Sequence, residues 1–157
     1  PYPEGRTNCA YAALLYAGNG TAVWHLDLNE YLSAEEHLEI QDMRYANGVL
    51  YFNEGCQSYS DMAGGACSSL VSIDPKTGEV LWRTAGLISN NVFILHGPWV
   101  ICGYGFTEEP DFLHLVDAAT GELVSKTALN TAHDYLLVKN GKLHVTCYRD
   151  YYVFELP

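Results

Sequence analysis

One seven-residue stretch occurs twice. Asp74-Pro75-Lys76-Thr77-Gly78-Glu79-Val80 returns 43 positions later as Asp117-Ala118-Ala119-Thr120-Gly121-Glu122-Leu123. A fixed-period repeat constrains a fold more tightly than local propensity does, because each copy must build the same supersecondary unit and bury its apolar surface on its neighbours. Each copy lies between two apolar runs: Leu70-Val71-Ser72-Ile73 and Val80-Leu81-Trp82 around the first, Leu113-His114-Leu115-Val116 and Leu123-Val124 around the second. The Asp carboxylate suits an Asx-turn, and the Gly suits a left-handed position that a side chain would penalise. The motif therefore reads as a hairpin between two strands. On backbone grounds alone, Gly121→Val is expected to be severe and Gly121→Asn milder.

A second landmark precedes each copy. Asn47-Gly48, His96-Gly97 and Asn140-Gly141 each open a strand-like run, which is a turn-then-strand signal. In the outer parts of the chain, Asp27 and Glu155 align with Asp74 and Asp117, and the residue before each acid is apolar: Leu26, Ile73, Val116 and Phe154. A period of roughly 40–45 residues with several short strands per unit is the pattern of β-propeller blades. The fold expected is all-β, a propeller of four-stranded antiparallel blades. A single region spans 1–157, with blades at about 9–39, 40–86, 87–129 and 130–157. The third strand Leu113 to Val116 lacks polar alternation, as a strand buried on both faces does.

The ring is expected to be incomplete. The fourth unit supplies a third strand near Tyr151 to Glu155 and no fourth. The first has room for about two strands, and Pro1 and Pro3 make the N-terminal segment a poor substitute. Open edges invite pairing, so closure is expected from further blades or from a second copy. Residues 31–38 are helix-like, with Ser33 and Glu36 at capping-box spacing.

The motif Leu70 to Trp82 resembles the repeat of the pyrroloquinoline-quinone (PQQ) enzymes and their cofactor-free relatives. That resemblance implies a docking role for Asp74, Thr77, Gly78 and Trp82, with Asp117, Thr120 and Gly121 as the matching turn. It spans residues 40–157, and the third unit departs from it at Ser125, where the Trp would stand. The adjacent Cys-Cys pair carried by many quinoprotein dehydrogenases is absent. The expectation is therefore a relative without quinone. No cofactor is predicted, and Ca²⁺ is the one cation the acidity would suit.

Composition narrows the partners. The chain carries a formal charge of −11, which repels nucleic acid and anionic membrane surfaces. No apolar run is long enough to span a bilayer. Cys56 and Cys67 bracket a polar, Gly-rich stretch and are expected to form a disulfide, which points to an extracytoplasmic setting (periplasmic, cell-surface or secreted). Cys102 and Cys147 read as buried thiols, and Cys9 is left over. Asn19-Gly20-Thr21 fits both a glycosylation sequon and a hairpin turn.

Two clusters are candidates for binding. His133 and Asp134 open a first strand, the strand that lines a propeller's central channel. Their counterparts are Asn90 and Asn91 in the third unit and Asp42 and Arg44 in the second. Such a polar ring suits water, an ion or a small polar ligand. The second cluster is Tyr104, Phe106, Glu108, Glu109 and Asp111, read as a loop that presents aromatics and acids to a partner. Ca²⁺ takes about six oxygens, more than this loop supplies. His25 and His114 lie in third strands and are expected to pack between blades. No catalytic residue and no metal site is assigned. The reading is a non-enzymatic binding or assembly module, its partner a protein or further blades. The alternative is an enzyme on a propeller scaffold, either a quinoprotein dehydrogenase relative or a metal-assisted hydrolase or lyase.

Overall fold

In the computed structural model, residues 12–33, 38–56, 65 and 67–157 are described. Their strands form four antiparallel sheets. The first holds β1 (Ala12–Tyr16) and β2 (Ala22–Asp27). The second holds β3 (Leu38–Ala46), β4 (Val49–Cys56), β5 (Ser69–Asp74) and β6 (Glu79–Arg83). The third holds β7 (Ile94–His96), β8 (Trp99–Phe106), β9 (Glu109–Asp117) and β10 (Leu123–Leu129). The fourth holds β11 (His133–Lys139), β12 (Lys142–Cys147) and β13 (Tyr151–Glu155). Strands pair in chain order within each sheet, and no pairing joins the fourth sheet to the first among the described residues. The sheets form an open arc of a β-propeller.

Turn chemistry explains the meander. Asn47 and Gly48 join β3 to β4 with φ of 53° and 85°, and Asn140 and Gly141 join β11 to β12 with 53° and 74°. Two consecutive positive φ values make the type I′ turn whose twist matches a hairpin. Between β5 and β6, Asp74 accepts the Lys76 N–H through its carboxylate at 2.8 Å and the Gly78 N–H through its carbonyl at 2.8 Å. Between β9 and β10, the Asp117 carboxylate accepts the Ala119 and Thr120 N–H groups at 2.9 Å each. These bonds hold the Asp117 carboxyl below its ordinary range.

Side-chain alternation sends each strand's residues into two cores. From β4, Leu50 and Phe52 meet Trp24 and Leu28 on the first-sheet side, whereas Tyr51 meets Trp82, Phe93 and Val100 on the third-sheet side. From β8, Val100 and Cys102 face the second sheet, and Ile101 joins Leu143 and Val145 of the fourth. The middle sheets are thus buried on both faces, and each fully buried large apolar side chain contributes roughly 1.5–3 kcal/mol. Cys102 and Cys147 are buried free thiols; burial pushes Cys102 well above the ordinary thiol range and raises Cys147 as well.

The expectation of a packed His25 is corrected. Among the described residues, a 3₁₀ turn spans Leu28–Tyr31, N-capped by Asp27, which accepts the Asn29 N–H at 3.0 Å. The segment expected to be helix-like, 31–38, falls largely outside the described residues, which omit 34–37. Ser33 donates its backbone N–H to Glu54 at 3.0 Å, and Glu36 lies outside the described residues, as does Cys9. His25 is exposed, because its strand belongs to a two-stranded sheet whose outer face is open; His114 is buried.

Candidate functional site

The first strands β3, β7 and β11 approach one another, which brings the polar residues at their starts together. Asp42 accepts the Phe93 N–H at 3.0 Å and pairs with Arg44. The Arg44 guanidinium lies 5.5 Å from the Phe93 ring centroid. Asn91 donates to the His133 carbonyl at 2.6 Å, and the His133 Nε2–H donates to the Val92 carbonyl at 2.7 Å. Asp42, Arg44, Asn91 and His133 therefore belong to one network across three sheets.

One of its members, Asn53, carries no signal in the repeat alignment. Asn53 accepts the Asp42 N–H at 2.8 Å and donates to Ser89 Oγ at 3.0 Å and to the Asn91 carbonyl at 2.6 Å. It is fully buried, as is Ser89. The sequence hint was an amide ending the apolar run Val49 to Phe52: a buried amide needs partners. Glu54 follows it, also fully buried, and pairs with Arg83 from β6.

The network is satisfied within the protein. Burial lowers the His133 pKa, while the Val92 carbonyl and Asp134 oppose that shift. The ring fits because β8 carries Gly103 at this point: a Cβ there would stand 2.5 Å from His133 Nδ1. Asn90 turns instead into the third sheet, where it donates to the Gly105 carbonyl at 2.9 Å and accepts its N–H at 3.1 Å. Asp134 is exposed at a β-bulge, away from the buried side of His133.

The expected aromatic loop is a hairpin. β8 and β9 run to Phe106 and Glu109, leaving Thr107 and Glu108 as the turn. Tyr104 is buried against the sheet and its hydroxyl meets Glu109; Phe106 is half-buried and packs edge-on to Tyr104. Of the aromatics and acids read as a partner surface, only Glu108 is exposed, because strand pairing continues through the segment. Asp111 is half-buried, and burial raises its pKa.

The exposed aromatic surface lies on the outer face of the fourth sheet. Leu136, Val138, Leu143, Val145, Tyr152 and Phe154 pack inward. Alternation then places two cross-strand rows outward, Tyr135–Thr146–Tyr151 and Leu137–His144–Val153. Tyr135 is 71% exposed and Tyr151 61%. The first sheet ends the arc at the other side in the same way, with Leu14, Tyr16 and Val23 exposed. Within the described residues no group of three or more His, Cys, Asp or Glu side chains stands at metal-binding geometry, and no helix is long and apolar enough to cross a membrane.

Cys56 and Cys67 are joined by a disulfide, their Cα atoms 5.7 Å apart, packed with Leu38.

No family model and no curated protein matches the chain. Among solved structures, BamB from Moraxella catarrhalis, a protein of PQQ-like β-propeller repeats, superposes with a TM-score of 0.54 at 15% identity. The match takes in 87% of this chain and 38% of that one, so this chain spans well under half of its neighbour's length. At that identity the likeness is one of fold, and the fold it identifies is the β-propeller.

Proposed function

We propose that this chain is a non-enzymatic assembly module whose terminal sheet faces dock a partner protein or further blades outside the cytoplasm. The observation that carries the reading is the outer face of the fourth sheet, where Tyr135, Leu137, Tyr151 and Val153 stand exposed on a regular sheet. Contiguous apolar surface on a sheet marks an interaction site, and the first sheet offers an open face of the same type. The central polar groups Asp42, Asn53, Asn91 and His133 bond to one another and to backbone, a tie between sheets that suits a rigid scaffold. The Cys56–Cys67 disulfide supports the location, because such bonds persist in oxidising compartments.

The test is site-specific photocrosslinking in native cells from positions 135 and 151, with position 122 on an exposed turn as control. Defined adducts are expected at the first two positions only, and Leu137→Glu should abolish them while the fold is retained. A silent face, or adducts indifferent to Leu137→Glu, would sink the reading. Peptide mapping of the native protein under non-reducing conditions tests the location: a Cys56 thiol open to alkylation would overturn it.

A further inference from the structure

Residues 84–93 link β6 to β7 and carry the chain from the second sheet to the third. The backbone here is strained. Leu87 has φ of 63°, and Ser68, which adjoins the link, has φ of 68°. Neither is a glycine, and a side chain in the left-handed region persists only where the surroundings impose it. Three backbone bonds do so. Leu87 donates its N–H to the Cys67 carbonyl, and Ile88 and Ser89 donate theirs to the Ser68 carbonyl, each at 2.9 Å. Gly86 is pressed so close that a Cβ there would stand 2.1 Å from the Gly65 carbonyl oxygen and 2.7 Å from that of Cys67.

Cys67 and Ser68 are thus the anchor of the link, yet the β4–β5 ladder stops short of them at the pair Glu54–Ser69. Beyond that pair the disulfide takes over and ties Cys67 to Cys56 at the end of β4. At its other end the link enters the central network. The Asn53 amide donates to Ser89 Oγ at 3.0 Å and to the Asn91 carbonyl at 2.6 Å, and Asn91 donates to the His133 carbonyl at 2.6 Å. A covalent bridge, a strained crossing and a tie across three sheets follow one another directly.

We infer that the Cys56–Cys67 bridge is a redox latch on this tie. Closed, it fixes Cys67 and Ser68, so that the link sits in its strained form and Ser89 and Asn91 reach Asn53. Open, it lets the link relax, and the second, third and fourth sheets lose their common tie. Closing passes two electrons and two protons from the thiols to a disulfide-bearing oxidant. In opening, a dithiol's thiolate attacks one sulfur of the bridge and the other leaves as a thiolate. The reagent's second thiol then displaces the first cysteine from the mixed disulfide. Cys56 is 7% exposed and Cys67 0%. A reagent therefore reaches the bridge only through local opening, and the strained link is where the structure opens. The latch lies inside the arc and is tested on the isolated chain, so it holds or fails independently of the docking reading and of the compartment.

The test is hydrogen exchange, followed by NMR, on the oxidised chain and on the double variant Cys56→Ser with Cys67→Ser. Protection of Leu87, Ile88 and Ser89, and of Phe93, whose N–H Asp42 accepts, should fall at least ~10-fold in the variant. Val100 and Val116, paired in the β8–β9 ladder, should keep theirs. Unchanged protection along the link, or an equal fall at Val100 and Val116, would overturn the inference. Leu87→Gly relieves strain without touching the bridge, so in the oxidised chain it should slow reduction by dithiothreitol at least ~3-fold. An unchanged rate would overturn the latch as well, and this measurement decides alone if the double variant does not fold.

Discussion

The ring of Trp82 stands 2.7 Å from the point where a Cβ on Gly121 would lie, although the two residues belong to different sheets. Gly121 has φ of 75°, so its turn already favours glycine. The contact adds a second reason, since the indole reaches the Ala118 carbonyl only if nothing projects from Gly121. The turn of one sheet is therefore also the seat of its neighbour's tryptophan.

This relationship separates two glycines that look alike in sequence. Gly141 has φ of 74°, and no described atom lies within 4 Å of where its Cβ would stand. Gly141→Ala should cost about 1 kcal/mol, from the left-handed backbone alone. Gly121→Ala should cost about 2–4 kcal/mol, because overpacking adds to the backbone strain. Gly121→Asn, which the backbone alone would tolerate, should fall with Gly121→Ala. Urea melts of the three variants check this; equal midpoints for Gly121→Ala and Gly141→Ala would refute the tryptophan seat.

Arg83 and Glu54 test the cost of a buried charge. Glu54 is fully buried, pairs with Arg83 and accepts the Ser33 N–H at 3.0 Å. Arg83→Met leaves that carboxylate without its cation and should destabilise by about 3–5 kcal/mol. Arg83→Met combined with Glu54→Gln should recover part of the loss, since a neutral amide is cheaper to bury. Denaturant midpoints give the answer, and a single variant as stable as the parent would remove the pair from any structural role.

Acid should weaken the arc through its two buried histidines. Burial lowers the pKa of both His114 and His133 from the ordinary 6.5. Each is neutral in the fold, and among the described residues His114 Nε2 has no hydrogen-bond partner to receive an added proton's charge. A lowered folded pKa means that the unfolded chain binds protons first. The stability each contributes is fully present above about pH 6.5 and is lost as pH falls from there through the folded pKa. The slope within that window has an upper limit of about 1.4 kcal/mol per pH unit per histidine. Thermal melts from about pH 7.5 to about pH 5 check it: His133→Gln should flatten part of the slope, and a profile unchanged by that substitution would exclude His133 as a source.

Local chemistry decided much of this protein. Asp117, Thr120 and Gly121 sit within one turn, and the bonds of that turn span five residues or fewer, so a short stretch of chain contains all the partners. The Asn-Gly turns are local for the same reason, and the 43-residue period carried the propeller fold, because identical local units stack in one way. The candidate site was legible only in part. Asp42, Asn91 and His133 could be aligned as first-strand polar residues, yet Asn53, which joins them, lies on a second strand, and its bonds to Ser89 and Asn91 span 36 and 38 residues. Tyr104 and Phe106 show the opposite failure: their flanking glycines and acids read as a loop, but pairing with β9 continues past them and draws Tyr104 into the sheet. Bonds closed within a few residues are written in the order of the chain, whereas burial and partnership across sheets depend on where distant strands come to rest.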